Sequence, residues 1–196
     1  MNMQNEIRKE PMLKKLTQQA ARAFHLPSVA VGVYHRGEWS YSMRGRGRGG
    51  PVNTETVYPI GSASKAFIAA AVLQLCDAGR LRLEDPVVRH VPDFALWTAE
   101  RTAQLTVRDL LCHRSGLPRH DITLFTNQDT ALAEMGRAMR QLPPVWPARQ
   151  RFWYQNNMVA VASVLVERIS GLDGGTYVRE RLLKPLGMHR SFTRCQ

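Results

Sequence analysis

The sequence has few cysteines and lacks a long apolar run. Its three cysteines, Cys76, Cys112 and Cys195, form an odd set without C-x-x-C spacing, which argues against a disulfide framework or a zinc site. Cys76 lies in an apolar segment and Cys112 follows two leucines, so both are expected to be buried thiols. No stretch approaches the roughly 18 uninterrupted apolar residues of a membrane-spanning helix, so no membrane partner is expected.

Two further signals are missing. Residues 1–16 lack the apolar central segment of a secretory signal. We therefore expect a cytoplasmic protein as the chain is written, or a periplasmic one if a signal has been removed. The six histidines are scattered, without His-x-x-x-His or Glu-x-x-His spacing, so we expect no metal and no cofactor.

Acidic residues are scarce relative to basic ones, which gives a net charge of +11 at pH 7. The densest basic run is Arg44-Gly-Arg-Gly-Arg-Gly-Gly50. Such segments can bind single-stranded nucleic acid through phosphate contacts and stacking. No aromatic residues interleave with these arginines, so we expect a solvated loop after a strand and disfavour nucleic acid as a partner. The nucleic-acid alternative predicts salt-dependent binding that is lost on replacing Arg44, Arg46 and Arg48.

The hydrophobic pattern changes from a short mixed region to a long helical one. Helical spacing over 12–25 precedes alternating strands at 29–33 and 39–44. Residues 64–78 are apolar on nearly every face, which predicts a buried central helix. Further helices are expected after a capping box at Thr106 and Asp109, and over the following segments: 127–142, 158–169 and 177–183. We therefore predict an α+β fold, with a helix and first hairpin in 12–50 and a mainly helical region in 51–196.

Ser62 and Lys65 lie at the start of the most apolar helix. Residues three apart share a helix face, so the two side chains can meet. A serine hydroxyl needs an adjacent base to act as a nucleophile, and a lysine can serve if burial lowers its pKa. The partial positive charge of a helix N-terminus would also stabilise a developing alkoxide.

A second group of polar residues, Tyr154-Gln155-Asn156, precedes another apolar helix. A tyrosine beside an ammonium can relay a proton, and an asparagine amide can orient a lysine and a substrate carbonyl. In isolation, the same tripeptide is more typical of a loop that ends in a helix cap, and the pattern alone favours that interpretation.

In this order, Ser62-x-x-Lys65 and Tyr154-x-Asn156 resemble the first two active-site motifs of class C type β-lactamases, penicillin-binding proteins and related esterases. Residues 79–86, 105–118 and 184–188 are similar to connecting segments of that superfamily. The resemblance implies a β-lactamase/transpeptidase-like fold. It also implies a serine hydrolase that forms an acyl-enzyme from a small-molecule amide or ester: a β-lactam, a D-amino-acid peptide or a small ester.

The resemblance also implies individual roles. Ser62 would be the nucleophile, Lys65 and Tyr154 would share the acid and base work, and Asn156 would position Lys65 and bind the substrate amide. His113 and Ser115 fall in a recognisable loop of the superfamily outside its catalytic motifs, and we expect structural roles for them. A triad that uses His120-Asp121 is disfavoured, because adjacent residues seldom present both side chains to one site.

The third motif of that superfamily, a Lys-Thr-Gly or His-x-Gly, does not occur after Asn156. We therefore expect residues 1–196 to form a single truncated domain with an incomplete sheet and weak or no turnover. The alternative is a non-catalytic binding or regulatory protein built on the same helical region. An exposed sheet edge would favour self-association in either case.

Overall fold

The computed structural model describes residues 11–119 and 139–193. The chain divides into two compact units, Met1–Pro59 and Ile60–Gln196, and the assignment of one truncated domain stays a prediction. Most of the helix expected over 127–142 lies outside the described residues, and so do His120, Asp121 and Cys195. The described end of that segment, Met139–Gln141, forms a 3-10 turn.

Over residues 11–59, the first unit consists of one helix and a small antiparallel sheet. Its elements are α1 (Pro11–Ala23), β1 (Ser28–His35), β2 (Glu38–Gly47) and β3 (Gly50–Pro51), and the strand order is β1-β2-β3. The helix and hairpin confirm the sequence prediction. The third strand was missed because two residues, one of them proline, carry no alternating pattern.

The hairpin is closed by the two-residue turn Arg36-Gly37, since His35 pairs with Glu38. Both turn residues have positive φ, 49° and 88°, as two-residue turns that match the right-handed strand twist require. Ser42 of β2 is buried, as are Thr17 and Ala21 of α1.

The glycine-arginine run is part of the sheet, so the expected solvated loop is wrong for most of it. Arg44 pairs with Val29, and Arg46 pairs with Pro51. Gly45 has φ of 102°, and a Cβ there would overlap the Pro27 carbonyl oxygen. That oxygen accepts a hydrogen bond from the Arg46 backbone N–H at 3.1 Å. The close approach of the Pro27 backbone therefore explains why a residue without a side chain occupies position 45.

The second unit is helical within its described residues. A 3-10 turn, Gly61–Ala63, leads into α2 (Ser64–Asp77). The helices that follow are α3 (Val87–His90), α4 (Ala99–Gln104), α5 (Val107–Cys112), α6 (Asn156–Ser170) and α7 (Gly174–Val178), which continues into the π-helical turn Arg179–Leu183. The two long helices confirm the prediction, and both are followed by glycines in the left-handed conformation, Gly79 and Gly171.

The core of this unit is built around α6, which contacts α2, α3, α5 and α7. Eight of the residues of α6 are buried. The expectation that α2 is buried all round is wrong, because Ala71, Val72 and Leu75 are buried whereas Leu73 is 45% exposed. Composition alone does not show which face of an evenly apolar helix meets the core.

The cysteine expectation is also corrected in part. Cys76 and Cys112 are both free thiols, but Cys76 is only half-buried and Cys112 is exposed. Cys112 is the last residue of α5, whereas Leu110, two residues before it, is buried. Among the residues that the structure describes, no helix is long and apolar enough to span a membrane.

Candidate active site

Ser62 lies in the 3-10 turn that leads into α2, and Lys65 lies in the first turn of that helix. The preceding Gly61 has φ of 54°, a left-handed conformation that glycine adopts without steric cost. Lys65 Nζ donates a hydrogen bond to Ser62 Oγ at 3.1 Å. Spacing of three residues therefore brings the two side chains together, as the sequence predicts.

Tyr154 reaches the same hydroxyl from the segment that precedes α6. Its hydroxyl donates a hydrogen bond to Ser62 Oγ at 2.8 Å, and Lys65 Nζ lies 5.1 Å from the centre of its ring. The three residues predicted as catalytic thus meet at one oxygen atom. Ser62 is exposed, so its hydroxyl is open to solvent on the remaining side.

The environment of Tyr154 makes its phenol more acidic than an ordinary tyrosine. Hydrogen bonding with Lys65 and then with Ser62 lowers the pKa of Tyr154, and the positive charges of Lys65 and Arg119 act in the same direction. Slight burial opposes the shift. Cations stabilise a phenolate, so the arrangement suits a tyrosine that exchanges a proton with the serine.

Asn156, predicted to bind substrate, is the first residue of α6 and is half-buried. The residue before it, Gln155, caps the helix: its side-chain oxygen accepts a hydrogen bond from the Asn157 backbone N–H at 2.9 Å. The Gln155 side-chain amide donates to the Pro118 carbonyl oxygen at 2.6 Å. Gln155 is fully buried, so it fixes the start of α6 to the loop after α5.

Sequence reasoning missed the role of Gln155. A glutamine immediately before an apolar helical run is a weak capping signal, because serine, threonine, aspartate and asparagine are the favoured cap residues. The long-range bond to Pro118 has no local sequence pattern that could have revealed it.

His113 was expected to be structural, and the structure places it against Tyr154. The two ring centres are 4.6 Å apart. His113 is the C-cap of α5, in the left-handed conformation at φ 56° and ψ 40°. Its Nδ1 accepts a hydrogen bond from the Gln155 backbone N–H at 3.2 Å. Burial, together with the nearby charge of Lys65, lowers the pKa of His113.

Arg119 is a second neighbour of Tyr154 that sequence reasoning missed. Its guanidinium carbon lies 5.3 Å from the centre of the Tyr154 ring, within the range of a cation–π contact. An exposed arginine after a Leu-Pro pair carries no pattern that distinguishes it from any other surface arginine.

The loop that carries His113 is held by an ion pair between the buried Asp109 and the exposed Arg149. Arg149 Nε and Nη2 both donate hydrogen bonds to Asp109 at 2.7–3.1 Å. Asp109 also closes the predicted capping box with Thr106, and Ser115 nearby is buried and accepts from the Leu117 N–H. Burial opposes ionisation of Asp109, but the hydrogen bonds from Arg149 and Thr106 prevail and lower its pKa.

The described residues contain no group of three or more histidine, cysteine or acidic side chains that could hold a metal. The contacts of Ser62 place its hydroxyl between the amino group of Lys65 and the phenol of Tyr154. Such a group can be acylated by a carbonyl compound if the proton of the serine is taken up by one of its two neighbours.

Known proteins share this fold. The Beta-lactamase family model matches residues 13–195. Penicillin-binding protein 4 of Amycolatopsis lactamdurans is 35% identical over 173 residues, which cover 86% of this chain and 45% of that protein. The chain thus spans less than half the length of this curated relative.

Solved structures agree. The octameric penicillin-binding protein homologue from Pyrococcus abyssi superposes with a TM-score of 0.79 at 26% identity, covering 91% of this chain and 43% of that one. A D-stereospecific amidohydrolase from Streptomyces sp. superposes with a TM-score of 0.74 at 26% identity, covering 89% and 54%. The predicted β-lactamase/transpeptidase-like fold is confirmed. From Leu13 to Cys195, this chain belongs to the Beta-lactamase family, the group of serine β-lactamases and penicillin-binding proteins.

Proposed function

We propose that the chain is a serine hydrolase that acylates Ser62 with an amide or ester substrate. The observation that carries the proposal is the meeting of Lys65 Nζ and Tyr154 Oη at Ser62 Oγ, at 3.1 Å and 2.8 Å. A catalytic base is expected within about 2.6–3.2 Å of the heavy atom whose proton it removes, and both side chains satisfy this distance.

In the proposed reaction, Ser62 Oγ forms a bond to the substrate carbonyl carbon while its proton passes to the Tyr154 phenolate or the Lys65 amine. The tetrahedral intermediate then breaks the bond to the leaving amine or alcohol, which takes up that proton. Water then attacks the acyl-enzyme and gives a proton to the same base; the bond between the acyl carbon and Ser62 Oγ breaks, the acid leaves, and Ser62 Oγ takes up that proton. Asn156 orients Lys65 and the substrate amide in this scheme.

The names of the relatives support an amide substrate. Penicillin-binding protein 4 is 35% identical, and the Streptomyces protein of similar fold is described as a D-stereospecific amidohydrolase. We propose β-lactams, D-amino-acid peptides and small esters as the substrate classes. The sequence after Asn156 contains no Lys-Thr-Gly, Lys-Ser-Gly or His-x-Gly, so we expect weak or no turnover by residues 1–196.

Labelling of the purified chain tests the proposal. The protein is incubated with a fluorescent penicillin and, separately, with an activated ester, and intact mass with peptide mapping locates the adduct. Ser64→Ala is a matched control for Ser62→Ala, because Ser64 is an exposed serine two residues away whose hydroxyl donates to the Gly61 carbonyl oxygen.

We expect the adduct on the peptide that contains Ser62, abolished by Ser62→Ala and kept by Ser64→Ala. If neither reagent labels a chain that circular dichroism shows to be folded, the proposed hydrolase is wrong for this chain.

A further inference from the structure

Tyr154 lies in a segment that lacks regular secondary structure. Residues 152–155 belong to no helix or strand, and α6 begins only at Asn156. The position of the Tyr154 hydroxyl therefore depends on contacts that other parts of the chain make with this segment. A displacement of about 1 Å in a reacting group can cost on the order of 100-fold in rate.

His113 makes contacts on both sides of Tyr154. Its carbonyl oxygen accepts a hydrogen bond from the Trp153 backbone N–H at 2.9 Å, and its ring Nδ1 accepts one from the Gln155 backbone N–H at 3.2 Å. The ring packs on Tyr154 at 4.6 Å and meets the edge of Phe152 at 5.6 Å. One histidine thus contacts four successive residues.

The bond from Gln155 requires one form of the imidazole. A backbone N–H can donate only to a ring nitrogen with a free lone pair, so Nδ1 is unprotonated and the ring proton of the neutral form resides on Nε2. Protonation of Nδ1 would turn it into a donor that faces the Gln155 N–H, and the hydrogen bond would be lost.

The charged groups around the ring favour the neutral form. Burial of the ring lowers the pKa of His113, and the charge of Lys65 in α2 adds to this effect. Arg119, from the loop after α5, lies over the ring of Tyr154, which in turn packs on His113. Tyr154, whose ring packs on the imidazole, is neutral or anionic and adds no positive charge.

We propose that His113 is a positioning residue that holds Tyr154 against Ser62, and that it does so only as the neutral imidazole with Nδ1 as an acceptor. This inference rests on the proposed function. It predicts that protonation of His113, which does not touch the reacting atoms, causes the fall in acylation rate at low pH (the acid limit). The acid limit falls below 6.5, the ordinary pKa of histidine, because the environment disfavours the imidazolium.

Two substitutions separate geometry from protonation. Asparagine tolerates the left-handed conformation at this position, offers a side-chain oxygen as an acceptor and does not titrate. Phenylalanine keeps a ring against Tyr154 but offers no acceptor. His189→Asn, at an exposed histidine of the same unit, is the matched control.

The measurement is the rate of Ser62 acylation by an activated ester from pH 4.5 to 9. We expect His113→Phe to slow acylation by about 10- to 100-fold at pH 7.5. His113→Asn should stay within a few-fold of the parent protein at that pH and lose the acid limb, and His189→Asn should keep it. A His113→Phe variant as fast as the parent, or an acid limb that persists in His113→Asn, overturns the inference.

A readout that needs no activity separates the two proposals. In ¹H–¹⁵N spectra, the Gln155 amide signal should shift as His113 titrates and should be independent of pH over that range in His113→Asn. If the parent chain is not acylated but the Gln155 amide signal follows the titration of His113, the proposed hydrolase activity is refuted. The positioning of the Tyr154 segment by His113 is then still supported. If the Gln155 amide ignores the titration of His113, the positioning role is refuted whatever the activity.

Discussion

The Tyr154 hydroxyl lies 2.8 Å from Ser62 Oγ, although the two residues are 92 positions apart in the chain. Their contact joins the turn before α2 to the segment before α6. It gives the serine a second hydrogen-bond donor in addition to Lys65. The reactivity of Ser62 is therefore expected to depend on the phenol as much as on the nearby ammonium.

Removal of the Tyr154 hydroxyl tests whether the reactivity of Ser62 depends on it. Tyr154→Phe keeps the ring that contacts His113 and Arg119 but removes the group that bonds to Ser62. Since positioned acid and base groups contribute about 10²–10⁴-fold to a rate, we expect acylation by an activated ester to fall by at least about 100-fold. The thermal midpoint should change little, because the hydroxyl is not part of the core.

Tyr34→Phe is the control for this change, because it also removes an exposed phenol hydroxyl, from β1. It should leave acylation unchanged. Equal acylation rates for Tyr154→Phe and the parent protein would show that Tyr154 takes no part in proton transfer.

The acidity of Tyr154 provides a second prediction. Its pKa is lowered by hydrogen bonding with Lys65 and Ser62 and by the charges of Lys65 and Arg119. Lys65→Met should therefore raise the pKa of Tyr154 more than Arg119→Met does, because it removes both a hydrogen bond and a charge. Titration of ¹³Cζ-labelled tyrosine by NMR measures both shifts. Arg140→Met, at an exposed arginine of the same unit, should shift nothing.

The glycine before the nucleophile provides a third prediction. Gly61 has φ of 54°, Gly79 after α2 has φ of 68°, and a Cβ added at either residue would have no atom within 4 Å. Alanine at either position should cost about 1–2 kcal/mol of unfolding free energy, measured in urea, because L-residues disfavour this conformation. The two substitutions are therefore matched in backbone strain and in available space.

Only Gly61→Ala should also slow acylation, since only that residue sets the direction in which the chain enters Ser62. If Gly79→Ala slows acylation to the same extent, the loss reflects general destabilisation and the special role of Gly61 is refuted.

The Asp109–Arg149 pair provides the fourth prediction. Asp109 is buried, and Arg149 is its charged partner. Asp109→Asn weakens the hydrogen bonds from Arg149 and should cost about 1.5–3 kcal/mol, the usual contribution of hydrogen bonds to a charged group. Glu84→Gln, at a pair with Arg108 in which both side chains are exposed, is the matched control and should have little effect.

The Asp109–Arg149 pair also determines how the free energy of unfolding changes with pH. The folded pKa of Asp109 lies below its unfolded value, so its contribution to stability is complete above about pH 4, the ordinary range of an aspartate. It is lost as the pH falls through the lower, folded pKa. Urea denaturation between pH 2 and 6 should show a steeper acid loss for the parent protein than for Asp109→Asn. Parallel curves would contradict the assignment.

Local patterns predicted the elements of this fold well. The capping box at Thr106, the turn Arg36-Gly37 and the glycine stop at Gly171 each depend on residues close in sequence, and each is confirmed. The burial of α2 and of Cys112 was misjudged, because burial depends on which elements pack against a helix rather than on its own composition.

The candidate site could be predicted only in part, because several of its contacts join residues that are far apart in the sequence. Ser62 and Lys65 form a local pair whose contact follows from helix geometry. Tyr154 required the resemblance to a known family, since no local pattern joins it to Ser62. Gln155 and Arg119 escaped notice because their contacts, with Pro118 and with Tyr154, are set by how the loop after α5 lies against the start of α6.

The 92-residue separation between Ser62 and Tyr154 has a consequence for the folding pathway. The Ser62–Lys65 contact spans three residues and can form with a single helical turn, within about a microsecond. The contact with Tyr154 must await closure of a long loop, whose entropic cost is met only when α6 packs on α2. In a refolding chain, the Ser62–Lys65 contact would therefore form early and the Ser62–Tyr154 contact late. The time at which Ser62 becomes reactive would then report when α6 packs on α2.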